Sequence, residues 1–336
     1  MHILKGYTKQ EISWMMYDWA NSAHSVIIVT LLPIFFDTVA GYTADSVFSM
    51  STWGYATSIA MLIVALAAPF LGVFGDIRGM RKKLFSFFML LGVAACAGMA
   101  FTPGMDFTSG PVAAGKVASL ILVLYIVSVI GFDASAIYYD AFLTDVTTED
   151  RMDKVSTMGY GLGYIGGSTI PLLIFLIMNL VGVPMLTCLA FVFGLTAVWW
   201  LAFSLPLLKN CEQTSGKPYE KGDVARSIKG VGTTIKEIIA NKPMLIYILS
   251  YFFYIDGVHT VISMATTYGT NLGLDSTGMM LALLLVQILG LPFCLLYIKC
   301  SEKFGARTMV GFGICVYMFI CIFAFFMNSL WQFWVL

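Results

Sequence analysis

Nine long apolar runs set the pattern of this chain, near residues 13–36, 52–74, 84–102, 116–138, 156–180, 184–207, 244–267, 278–298 and 306–328. Each is close to the roughly 20 residues that a helix needs to cross the hydrocarbon core of a bilayer. A tenth run begins at Leu330 and reaches Leu336. The pattern predicts an all-α membrane protein with nine complete transmembrane helices and the start of another. Composition agrees with it. Charged residues make up 11% of the chain, against about 25% in a soluble domain.

Net charge is zero, so no strongly anionic partner such as nucleic acid is implied. The placement of charge is more informative. If the N-terminus is cytoplasmic and the spans alternate, 18 of the 19 basic residues fall on the cytoplasmic side, Lys217 and Lys221 among them, and only Lys116 falls opposite. That asymmetry obeys the positive-inside rule. It predicts a multi-pass protein of the cell membrane with a cytoplasmic N-terminus. The seven cysteines form no CxxC pair, and His2, His24 and His259 are far apart. No metal site or cofactor is expected. No GxSxG, HExxH or P-loop occurs, so an enzyme is not expected.

The one long hydrophilic stretch, 209–242, divides the chain into an N-terminal six-helix bundle (1–208) and a C-terminal bundle (243–336). Within this cytoplasmic linker, Val224, Ile228, Val231, Ile235 and Ile238 recur at three to four residue spacing. That periodicity predicts a short surface helix over 223–240.

Two signatures repeat between the halves. Asp18-Trp-Ala-Asn21-Ser22 matches Asp256-Gly-Val-His259-Thr260, 238 positions on, and a tyrosine (Tyr17, Tyr254) lies just upstream of each. Asp76-Ile-Arg-Gly79-Met-Arg81 matches Glu302-Lys-Phe-Gly305-Ala-Arg307, 226 positions on. The similar offsets point to a duplicated unit. By those offsets, position 336 corresponds to about 98–110 of a first half that runs to 208. The second bundle is therefore expected to be incomplete, lacking about three spans, through fragmentation or gene truncation.

Ionisable groups inside a bilayer are costly, about 2.5–3.5 kcal/mol for a central Asp on insertion scales. Their recurrence in two halves suggests a transporter with a polar cavity between repeats. Asp18, Asn21, Ser22 and Ser25 share one helix face, with His24 and Tyr17 off it. They read either as a cavity-lining strip or as a structural network near the span's end. Asp256 and His259, with Ser263, lie near mid-membrane and read as a binding or proton-coupling pair, or as a buried pair that pins its helix. Asp133 reads as a proton site or as a partner of Arg151 or Lys154. Gly159, Gly163 and Gly167 form a small-residue packing seam.

Gly72-x-x-x-Asp76-x-x-Gly79-x-Arg81-Lys82 resembles the loop signature of the major facilitator superfamily. In physical terms Gly72 permits close helix approach, and Asp76 with Arg81 forms a latch or simply holds the loop inside. Tyr17-Asp18-Trp-Ala-Asn21-Ser22-Ala23 and Tyr139-Asp140-Ala-Phe-Leu-Thr144-Asp145, with Arg151 and the glycines after it, resemble the vacuole-effluxer branch of that superfamily. The resemblance implies twelve spans in two bundles, from which this chain departs by three. It also implies a solute class, amino acids. Asp140, Asp145 and Arg151 join Gly72, Asp76, Gly79 and Arg81 as expected gate residues. The expectation is a secondary transporter of a small polar solute working by alternating access, with protons as a possible coupling ion. The alternative is an inactive remnant or a non-transporting receptor or scaffold.

Overall fold

The structure, a computed structural model, describes residues 4–43, 48–216, 218 and 223–336. His2, Lys217 and Lys221 lie outside them, as do the side chains of Val224, Arg226, Ile228, Lys229 and Ser263. The described residues are helical with no strand, and nine helices are long and apolar enough to cross a membrane. They coincide with the nine apolar runs. The chain forms two compact units, Met1–Val224 and Ala225–Leu336.

The first unit contains α1 (Lys9–Ala40), α2 (Phe48–Gly75), α3 (Arg81–Met99), α4 (Pro111–Val146), α5 (Met152–Gly163), α6 (Ile170–Leu180) and α7 (Met185–Asn210). A π-helical segment, Tyr164–Thr169, joins α5 to α6, so the two make one span. Local signals set several boundaries. Thr8 and Glu11 form a capping box that starts α1, satisfying two N–H groups that a helix start leaves open. Pro111 opens α4, where its missing N–H costs nothing.

α1 is the axis of this unit. It packs on α4, α5, the π segment and α7, and residues from Glu11 to Ala40 are buried along it. On the other side α3 packs on α4 and α7. There the backbones nearly touch, because a Cβ on Gly131 would lie 2.5 Å from the Gly92 nitrogen. The indole of the fully buried Trp200 covers Gly92 from α7. Without a hydrophobic driving force in lipid, such close packing is what holds helices together. Tyr55, Leu66, Phe87, Val123 and Val198 are exposed, as lipid-facing side chains should be.

The second unit holds α8 (Asp223–Ala240, whose first two residues belong to the first unit), α9 (Lys242–Asn271), α10 (Ser276–Phe304), α11 (Ala306–Phe325) and α12 (Leu330–Val335). Met279, Ala282, Met327 and Phe333 form its small buried cluster. The two copies of the [DE]-x-x-G-x-R signature take the same structural role. Gly79 turns α2 into α3 and Gly305 turns α10 into α11, both at φ +82°. Only glycine adopts that angle without strain.

One expectation is corrected. Gly72 supports no close helix approach within its unit, since a Cβ there would meet nothing within 4 Å. The close approaches fall instead on Gly92, Gly131 and the α5 glycines.

Gly131→Ala should lower the thermal midpoint of the detergent-solubilised protein, with a cost of about 1–3 kcal/mol for overpacking. Gly115→Ala, whose Cβ meets nothing within 4 Å, should leave the midpoint unchanged in the same melt.

Candidate functional site

The α1 signature and the α5 glycine seam, which are far apart in sequence, meet in the structure. A Cβ on Gly159 would collide with the Asp18 carboxylate, and one on Gly163 would sit 2.5 Å from Ser22 Oγ. Gly166 accommodates the Trp19 ring, and Gly167 lies against the Trp19 carbonyl and the Ala23 nitrogen. The seam is thus a socket moulded to Asp18–Ala23. The π segment begins at this point. Such segments place one extra residue per turn and recur at functional sites.

Asp18 is buried. Its Oδ2 accepts a 2.8 Å hydrogen bond from the Tyr139 hydroxyl on α4. Among the described residues no cation lies within ion-pair distance of it. Tyr139 is fixed from two sides. Trp14 stacks on its ring at 4.3 Å, and the Trp14 indole N–H donates to the Tyr139 carbonyl at 2.9 Å. Asn21 is buried, Ser22 is half-buried and Ser25 is exposed, so the predicted face enters the packed bundle at its first two positions and leaves it by Ser25.

Tyr17 and His24, off that face, enter the core on the α4–α7 side. Counting hydrogens fixes the direction of their bonds. Ser135 donates to the Phe132 carbonyl at 2.8 Å, so Tyr17 must donate to Ser135 at 2.8 Å, and Tyr17 in turn accepts from the Trp200 indole at 3.4 Å. Ser128 likewise donates to the Tyr125 carbonyl, so His24 Nε2 carries the hydrogen given to Ser128 at 3.2 Å. His24 Nδ1 is buried without a partner among the described residues, and the ring stacks on Phe132 at 4.7 Å.

A second network closes the end of the bundle that carries the basic residues. The Glu11 carboxylate receives Arg151 at 2.8 and 2.9 Å, Thr147 at 2.7 Å and the Thr8 nitrogen at 2.7 Å. Arg151 therefore ties α1 to the start of α5, and it does not pair with Asp133. Asp133 Oδ2 is buried without a hydrogen-bond partner among the described residues.

The expected latch is built differently from its prediction. Asp76 is 83% exposed and only 4.0 Å from Arg81. The close partner of Arg81 is Asp145, with further bonds to the Ala141 carbonyl at 2.9 Å and Ser215 at 3.3 Å. The segment after α7 straps this pair down. Asp145 Oδ1 accepts the Thr214 nitrogen and hydroxyl and the Ser215 nitrogen at 2.8–3.1 Å. Gln213 bonds Gly75, Gly79 and Arg81 backbone atoms at 2.9–3.2 Å. Gly216, at φ +113°, presses on the Asp76 carbonyl. Asp140 is exposed beside this network, on the turn above Tyr139.

In the second unit Asp256 and His259 lie on α9 and are both exposed. Among the described residues of this unit, no hydrogen bond or ion pair is found for either side chain. Sequence reasoning missed Ser128, Ser135, Trp200 and the Gln213–Ser215 strap. The first three look like ordinary buried residues in sequence. The strap looks like the beginning of a linker.

Two helical units with nine spans, a glycine-turned signature loop in each and buried polar groups along α1 define a multi-pass membrane protein of the major facilitator type. The fold matches the crystal structure of a D-xylose-proton symporter with a TM-score of 0.51 over 88% of this chain and 69% of that one, at 15% identity. Residues 7–336 match the model of the vacuole effluxer Atg22 like family, and the chain belongs to that family. It is 39% identical over 342 residues to the MFS-type transporter YxiO of Bacillus subtilis, a match spanning 99% of this chain and 77% of that protein. Autophagy-related protein 22-1 of Penicillium rubens is 24% identical over 177 residues, 49% of this chain and 30% of that protein.

Gln213→Ala removes three hydrogen bonds and Asp145→Ala removes the hub. At about 1 kcal/mol per net bond, each should speed limited proteolysis between 211 and 222 at least several-fold. Because both act on one strap, the double variant should gain less than the product of the two single effects.

Proposed function

We propose that this chain acts as a secondary active transporter of a small polar solute, with amino acids as the solute class and protons as the coupling ion. The observation that carries the reading is Asp18. It is a buried carboxyl in a membrane bundle, held by a tyrosine hydroxyl, with no cation within ion-pair distance among the described residues. An ion in that position costs several kcal/mol unless it is compensated, and binding a proton removes the cost. The same group sits in the glycine socket between α1 and α5, where small residues allow helices to slide. Movement at the socket and exchange of the proton are then one event.

In this reading Asp133 is a second proton-accessible group, and Asp256 with His259 is the matching pair from the other half. Asn21 and Ser22 position Asp18. Gly79, Arg81, Asp145 and Arg151 form the gate at the basic end, and Gly72, Asp76 and Asp140 lie on its exposed rim. Residues 1–208 and 243–336 act as the two rocking elements joined by 209–242. The N-terminus lies in the cytoplasm, by the positive-inside distribution, and the protein resides in the cell membrane. The names of the relatives support transport as the class. The amino-acid assignment follows the effluxer family.

The test uses the full chain in proteoliposomes, with an amino-acid panel and an imposed pH gradient of either sign. Wild type should accumulate at least one amino acid under one sign. Asp18→Asn should keep its thermal midpoint and abolish gradient-driven accumulation. If no panel member responds under either sign, the solute class is wrong. If Asp18→Asn responds as wild type does, Asp18 does not couple transport to protons.

A further inference from the structure

We infer that α8 is an interfacial helix that lays its apolar side into the headgroup region of the bilayer, with its basic positions set against anionic lipid. The inference rests on the membrane character of the chain and not on transport. At about 100° per residue, positions 224, 228, 231, 235, 238 and 239 of this helix, all Val or Ile, fall within about 100° of arc. Asp223, Arg226, Lys229, Lys236 and Glu237 all fall outside that arc. So sharp a division marks a helix that lies along a boundary between apolar and aqueous phases.

Among the described side chains of that face, Val231 and Ile238 are half-buried, while two near the end of the helix are open. Ile235 is 49% exposed and Ile239 59% exposed. Aliphatic side chains displayed this way need an apolar cover.

The cover is identified by position. Only Asn241 separates the end of α8 from Lys242, the first residue of the α9 span. Asn241 Oδ1 caps that span by accepting the Met244 N–H at 3.3 Å. The last turn of α8 is therefore tethered at the membrane surface, within one helical turn of the start of a span. Three basic positions, 226, 229 and 236, stand against two acidic ones, 223 and 237. Positions 229 and 236 are two turns apart on one flank of the helix, about 60–80° beyond the edge of the apolar arc. A basic flank beside an aliphatic face complements an anionic lipid surface.

The test places nitroxide labels singly at 233, 235, 236 and 239 in a cysteine-free full-length chain. The chain is reconstituted in vesicles of three parts phosphatidylcholine to one part phosphatidylglycerol. Labels at 235 and 239 should show an oxygen-to-nickel-complex accessibility ratio several-fold above those at 233 and 236. Equal ratios at all four positions would put the helix in water and overturn the inference. Exclusion of both reagents at 235 and 239 would mean that protein covers the face, and would overturn it equally. A second measurement keeps the native cysteines. Amide exchange across 223–240 should be several-fold faster in Ile235→Asp/Ile239→Asp than in wild type in the same vesicles, with exchange in α1–α7 unchanged. Identical exchange would contradict a lipid-held helix.

Discussion

The structure of the first unit depends on one contact, the seating of the polar stretch Asp18–Ala23 of α1 against the glycines of α5 and the π segment that follows it. In a bilayer no water compensates a polar group left inside. A carboxyl on α1 must find its partners within the bundle or face lipid. Gly159, Gly163, Gly166 and Gly167 remove every side chain that would hold the helices apart. That brings the α1 backbone near enough for Asp18 to reach Tyr139, and for Trp19 to lie over α5. Tyr17 and His24 then point to the opposite side, where Ser135, Ser128 and Trp200 receive them.

The contact is keyed by Asp18, Trp19 and Ser22 of α1, which occupy the space that the glycines leave. Two ion pairs add further ties. At the basic end, Glu11–Arg151 joins α1 to α5, and Arg81–Asp145 joins α3 to α4. The second pair is completed by residues 213–216 of the chain beyond α7. The Arg81 and Asp145 side chains are both buried, and taking such a pair out of water costs much of what their attraction returns. The linker is therefore mechanically part of the first bundle at its start and, through α8, of the membrane surface at its end.

Much of this was legible in the sequence. The nine spans follow from apolar runs long enough to need a bilayer, and each is a helix at its expected place. The duplicated signature loop predicted a shared turn, and Gly79 and Gly305 take the same φ. Asp18 and the α5 glycines were both visible, but nothing in their spacing says that they touch. That depends on which helices are neighbours, a property of the whole bundle. Arg81 and Asp145 stood out as charges, while the strap that completes their pairing, Gln213-Thr214-Ser215, looks like ordinary linker. Asp133 reads in sequence either as a proton site or as a partner of Arg151 or Lys154, and Arg151 pairs with Glu11 instead. Glu11 is 140 positions away, and only the packing of α1 on α5 brings it into range. Asp256 and His259 remain a sequence signature, since α9 is exposed along that stretch of the second unit.

The proposed transport requires a single carboxyl, Asp18, to take up a proton inside a helix–helix socket. Infrared difference spectroscopy of the reconstituted protein during a pH jump observes that group directly. A protonated-carboxyl C=O band should change with pH, disappear in Asp18→Asn and shift in Tyr139→Phe, which lacks the hydroxyl that donates to Oδ2. A spectrum with no such band, or a band untouched by Asp18→Asn, would contradict the proposed proton uptake.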